Sequence, residues 1–175
     1  MVRIKERYIL VNVLHPPQPS DPKAAPGLPE FVSLHRPITE NLHPRLLLKA
    51  IRNEVAALFG NYGSGAVDVG LSLKYLSCAT ATFILKVSRN HYRLVWAALT
   101  MMTSIPGSQS PCMFQVVHVS GTIRKAEEEI IRRARRFALA AQDAAAAKET
   151  AGVLQSHFAE SSTMAVDAMF DSSDA

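Results

Sequence analysis

Between residues 1 and 119 the spacing of apolar side chains switches between period two and period 3.6, and the order of the switches leaves few folds open. Ile9 to Leu14 is an apolar run of strand length. Leu47, Leu48, Ile51, Val55, Leu58 and Phe59 then recur as the inner stripe of a helix that opens near Pro44, a residue tolerated at the first helical position, and stops at Gly60 and Gly63. Val67, Val69, Leu71, Leu73 and Tyr75 alternate with Asp68, Gly70, Ser72 and Lys74, which predicts a strand with one buried face. A second strand from about Thr80 to Ser88 follows across the short hairpin Ser77-Cys78-Ala79. His91 to Met102 reads as a helix around Trp96, and Cys112 to Val119 as a last strand. The order strand, helix, strand, strand, helix, strand is that of an α+β, ferredoxin-like βαββαβ sandwich with its helices on one sheet face.

A third helix opens after Ser120-Gly121, with Thr122 as its cap and Ile123, Ala126, Ile130, Ala134, Phe137 and Ala141 as its inner stripe. The domain therefore runs over 1–142. Within it, residues 15–37 hold seven of the chain's ten prolines, a density that blocks helix and ladder hydrogen bonds and marks a surface loop or insertion. Residues 143–175 are Ala-, Ser- and Asp-rich with little sustained pattern, and an acidic, mostly disordered tail is expected there.

Charge divides along the same boundary. Residues 1–136 carry 18 Lys and Arg against 9 Asp and Glu, a balance of +9, while residues 137–175 carry 1 against 6, a balance of −5. A body this basic favours a polyanionic partner. Cys78 and Cys112 stand far apart with no C-x-x-C and no paired His spacing, so they read as small core residues and neither a disulfide framework nor a zinc site is indicated. The start is too charged and its apolar run too short for a secretion signal. The uncharged stretch Leu94 to Ile123 is broken at Pro106, Gly107 and Pro111, so no membrane partner is expected and the chain reads as soluble, cytosolic or nuclear.

No enzyme motif is present: there is no G-x-S-x-G, no phosphate loop, no H-E-x-x-H and no suggestive Cys and His pair. Gly63-Ser64-Gly65 reads as a connector, and His118 as a hydrogen-bonded core or partner-facing residue. The cations carry more information. Arg3, Lys5 and Arg7 fall at every second position and share one strand face, either a row suited to phosphates or a solvated edge. Arg45, Lys49 and Arg52 line up on the first helix with the same two readings. In the third helix Glu128 is placed to pair with Arg132 and Glu129 with Arg133, which leaves Arg135 and Arg136 without local partners.

The layout is RRM-like in strand and helix order. The RNA recognition motif, however, stacks bases on aromatics of its central strands, and Thr80-Ala81-Thr82-Phe83-Ile84-Leu85-Lys86-Val87 lacks that pattern. Any RNA is thus met through phosphate charge and shape. Met1-Val2-Arg3-Ile4-Lys5-Glu6-Arg7-Tyr8-Ile9-Leu10, Lys74-Tyr75-Leu76, Tyr92-Arg93-Leu94-Val95-Trp96-Ala97-Ala98-Leu99 and His118-Val119-Ser120-Gly121-Thr122-Ile123-Arg124 come in an order and spacing that resemble one family up to about Arg136. It is the fifth "processing of precursor RNA" family, a small protein subunit shared by eukaryotic ribonuclease P and RNase MRP. Arg135-Arg136 falls where that family carries an arginine pair. Ala81 replaces a glycine common in its hairpin, and Ser120 stands where a second glycine is frequent.

The resemblance implies a protein that is not an enzyme by itself, in a particle whose RNA, with bound Mg²⁺, removes 5′ leaders from precursor tRNA and, in the related particle, cleaves precursor ribosomal RNA. It implies no cofactor on the protein, a TIM-barrel-like companion subunit, other particle proteins and precursor tRNA as partners, and residence in the nucleus, with the nucleolus as the narrower expectation. Arg3, Lys5, Arg7, Arg124, Lys125, Arg135 and Arg136 are the candidate RNA contacts, expected to converge on RNA backbone. Two other readings of the residues stand beside this one: a ferredoxin-like regulatory module for a small anionic ligand, and a protein adaptor whose basic face serves solubility.

Overall fold

β1 (Glu6–Leu14) is the central spine of the sheet in a computed structural model that describes residues 5–16, 34–35, 37–38, 42–105, 107, 111–144 and 146. It is followed by α1 (Pro44–Asp68), β2 (Ser72–Ser77), β3 (Thr82–Ser88), α2 (Tyr92–Met101), β4 (Met113–Ser120) and α3 (123–144). The strand order is β2-β3-β1-β4 with every neighbouring pair antiparallel, the ferredoxin-like arrangement read from the sequence. The proline-rich segment, 17–33, and residues 147–175 of the acidic tail lie outside the described residues. The described flanks of the former are anchored: the His15 N–H donates to the Leu34 carbonyl at 3.0 Å, and the Ile38 N–H to that of Cys78 at 2.8 Å.

Alternation along the strands sorts two cores onto two faces. Ile9, Val11 and Val13 of β1 and Phe83, Leu85 and Val87 of β3 face α1 and α2, meeting Leu47, Ile51, Val55, Val95 and Leu99. Leu10 and Ile84, directly paired across the two central strands, point the other way, and there they are buried under Ala126, with Ile130 of α3 packed alongside. Burying side chains of this size stabilises by roughly 1.5–3 kcal/mol each. Both faces of the sheet centre are therefore closed.

Three local readings are corrected. The alternation at 67–75 does not begin a strand: α1 continues to Asp68 across a sharp bend at Gly60 (φ 62°, ψ −154°), a conformation open to glycine at little cost. Val67 is buried as a helical residue, whereas Val69 is 97% exposed in the turn that follows. A register shift between Leu73 and Tyr75 then rotates the strand, so Tyr75 sits opposite Ile84 on the second face and is partly exposed. A period-two pattern of valines fits a two-residue turn leaving a helix as well as it fits a strand.

The departures noted at Ala81 and Ser120 have structural counterparts. Ala81 adopts φ 49°, a left-handed conformation that a glycine would hold without strain. The buried Ser120 donates its hydroxyl to the Thr122 carbonyl at 2.7 Å, tying the end of β4 to the start of α3. Cys112 is a core residue as read; Cys78 is only partly buried against the core.

A methyl group on Gly63 would lie 2.5 Å from Phe59 Cβ, whereas one on Gly65 meets nothing within 4 Å. Gly63→Ala should lower the unfolding free energy in urea by about 1–3 kcal/mol, and Gly65→Ala should be neutral or stabilising; equal effects would place the helix bend elsewhere. Burial pushes the Cys112 thiol up to about 11, so little thiolate exists near neutral pH. Alkylation of the native protein at neutral pH should label Cys78 and spare Cys112 until denaturant is added.

Candidate nucleic-acid interface

The antiparallel pairing brings chain ends together. Tyr8 at the start of β1 pairs with Ser120 at the end of β4, and Glu6 pairs with Ser88 at the end of β3. One end of the sheet therefore collects the entry to β1, the turn after β3 and the first turn of α3. Lys5 is exposed there, its carbonyl accepting the Arg89 N–H at 2.9 Å. Arg7 donates from Nη1 to the Glu6 carbonyl at 3.2 Å and reaches the backbone of Gly121, where an added Cβ would lie 3.3 Å from it. Arg124 and Lys125 follow within one helical turn. Lys5, Arg7, Arg124 and Lys125 are thus brought to one place, and Arg89, which no local pattern singled out, joins them because the β1–β3 register carries it there. Arg3 lies outside the described residues.

Arg135 and Arg136 do not enter that cluster. They lie eleven residues along the same helix from Arg124 and Lys125, about 16 Å at the helical rise, so the expected single patch is a ridge. Arg124, Glu128, Arg132 and Arg135, spaced four, four and three apart, share one strip, with Lys125 and Arg136 beside it. The strip points away from Ala126 and Ile130 and so into solvent. α3 carries it toward the opposite end of the sheet, where Phe137 meets His35 with ring centroids 4.6 Å apart.

Ion pairs sort these cations. Glu129, whose side chain is only 10% exposed, takes both Arg132 and Arg133, the latter at 2.9 Å. Desolvation favours its neutral form, but the hydrogen bonds and charges of Arg133 and Arg132 outweigh it and hold the carboxyl below its ordinary 4.5. The expected Glu128–Arg132 pair does not form. Glu128 instead accepts from Arg124 at 3.2 Å, an exposed pair of the kind worth about 0.3–0.5 kcal/mol, which a phosphate can displace. Arg135 and Arg136 are exposed and form no ion pair with any described residue, as the spacing anticipated.

The other cationic row is reduced and misplaced for this surface. Arg52 pairs with Asp68 at 3.1 Å, which leaves Arg45 and Lys49, and α1 lies on the opposite side of the sheet from α3. Lys86 is held by Glu6, whose hydrogen bond raises its pKa. Among the described residues no group of three or more His, Cys, Asp or Glu could hold a metal ion, and no helix is long and apolar enough to cross a membrane.

The chain is similar to proteins of one family. The model of the Rpp14/Pop5 family matches residues 7–131. "Ribonuclease P/MRP protein subunit POP5" of Schizosaccharomyces pombe is 42% identical over 133 residues, 76% of this chain and 88% of that protein. The protein of the same name from Saccharomyces cerevisiae is 34% identical over 134 residues, covering 76% and 77% respectively. A chain in the cryo-EM structure of yeast Ribonuclease MRP superposes with a TM-score of 0.45 at 11% identity, over 77% of this chain and 98% of that one.

Replacing Glu129 by Gln removes the charge that holds Arg132 and Arg133. If the ridge meets phosphates, the log–log salt dependence of RNA binding should steepen by about 0.7–0.9 for each arginine recruited, and an unchanged slope would mean that neither reaches RNA. The linkage sign is that of a lowered carboxyl. Glu129 adds stability above the ordinary carboxyl pKa and loses it as pH falls through the lowered value, so Glu129→Gln should flatten the wild-type loss of stability below pH 4.5.

Proposed function

Because the chain belongs to the Rpp14/Pop5 family, we propose that it braces the catalytic RNA of ribonuclease P and RNase MRP through the cationic edge of its sheet and the outer strip of α3. It is a protein subunit of ribonuclease P/MRP and not an enzyme by itself. The RNA, with Mg²⁺ bound to it, carries out 5′-leader removal from precursor tRNA and cleavage of precursor ribosomal RNA. The family match leaves the regulatory-module and adaptor readings without support.

The observation that carries this reading is the exposed, locally unpaired pair Arg135 and Arg136 on a ridge continuous with Arg124, Lys125 and the Lys5–Arg7 edge. Each guanidinium offers a planar fork that fits two phosphate oxygens. A ridge about 16 Å long covers several phosphates of one strand, and phosphate contacts of this kind fix position and register on RNA. The closed second face supports the same reading: Leu10 and Ile84, on the two central strands where an RNA recognition motif would stack bases, are buried under α3.

A TIM-barrel-like companion subunit, precursor tRNA in contact with the particle, and nuclear, more narrowly nucleolar, residence complete the proposal. The exposed Trp96 on α2 and Met113 at the start of β4 are apolar surface that a protein companion would cover.

The tagged chain, purified from its own cells, should bring down one structured RNA and support leader cleavage, and digestion of the RNA should shrink the complex. With Arg135→Glu and Arg136→Glu, RNA association should weaken and its log–log salt slope flatten by about 0.7–0.9 for each arginine that had neutralised a phosphate. A folded double variant with an unchanged slope removes that pair from the RNA surface.

A further inference from the structure

Phosphates need only cations, yet the ridge also presents apolar side chains. Ile131 is 53% exposed and Leu139 60% exposed, one helical turn before and after Arg135 on the same side of α3. RNA backbone gives these two nothing to pack against. A ligand that suits the whole strip is acidic and apolar together, with both kinds of residue at helical spacing.

The chain's own C-terminal sequence has that composition. Over 164–174 it carries Asp167, Asp171 and Asp174, four and three residues apart, interleaved with Val166, Met169 and Phe170, and no Lys or Arg. Residues 147–163 separate it from the end of α3, and this linker can span up to about 55 Å when fully extended, several times the distance from residue 146 back to Arg135. Tethering supplies an effective concentration of order millimolar, so weak contacts suffice.

We propose that residues 164–174 dock on the outer strip of α3 around Arg135 and Arg136, with Val166, Met169 and Phe170 against Ile131 and Leu139, and compete with RNA for those arginines. The competition rests on the reading of α3 as an RNA surface; the docking does not. In the assembled particle RNA displaces the segment. In the free subunit the segment screens the arginines from stray polyanions and covers the apolar pair.

The test uses the full chain. A photoreactive residue in place of Phe170 should cross-link within 131–139, at a yield independent of protein concentration and suppressed by a short RNA duplex. Asp167→Asn, Asp171→Asn and Asp174→Asn together should raise affinity for that duplex about fivefold at low salt, a gain that disappears where exposed charge pairs are screened. Cross-links elsewhere, or a yield that rises with concentration and so reports a second copy, overturn docking. An affinity unchanged by the three Asn substitutions overturns competition. Arg135→Gln with Arg136→Gln separates the two failures: if this pair weakens RNA binding while the tail variants do nothing, the RNA surface stands and the tail proposal falls. If neither set alters RNA binding while cross-links to α3 persist, the RNA reading falls and competition with it.

Discussion

Ala126 and Ile130 laid across Leu10 and Ile84 is the contact on which the rest of the molecule turns. A four-stranded sheet with two helices on one face leaves its other face to water or to a ligand. Here the second face is apolar at its centre, and α3 closes it. The closure removes a base-stacking platform and turns the opposite side of the helix, with its arginines, to solvent. One apolar contact thereby decides both what the sheet cannot bind and what the helix can.

The antiparallel register supplies the second decision. With Tyr8 beside Ser120, and Lys5 hydrogen-bonded to Arg89, charge from residues far apart in the chain meets at one edge. Backbone pairing, such as the Arg89 N–H on the Lys5 carbonyl, holds that edge together. Like charges are placed side by side by backbone geometry and repel, and an arriving polyanion relieves the repulsion. The deep carboxylate of Glu129 does the reverse, neutralising Arg132 and Arg133 within the helix. Its two salt bridges separate arginines engaged in α3 itself from those left available beyond it.

The parts legible in the sequence were those governed by local spacing. The order of elements, an antiparallel hairpin near Ser77-Cys78-Ala79, the inner stripe of α3 apart from the exposed Ala134, and the lack of local partners for Arg135 and Arg136 all follow from which residues stand two, three or four apart. The parts misread were those where two local rules fit one pattern. Val67 and Val69 suit an alternating strand, yet tertiary packing retained Val67 in the last turn of α1 and left Val69 exposed. Glu128 had arginines four residues away on both sides, and it took Arg124 because Glu129 held Arg132.

By itself the sequence determined the fold class, the division of charge between body and tail, and a helix with arginines left over, because each depends on residue type at short separation. Only the tertiary structure decided that α3 covers the second face, that Arg89 joins Lys5 and Arg7, and that the cations form a ridge extending about 16 Å from Arg124 to Arg135. Those outcomes depend on strand register and on which of two exposed faces a distant helix buries, and neither is encoded in the spacing of neighbouring residues.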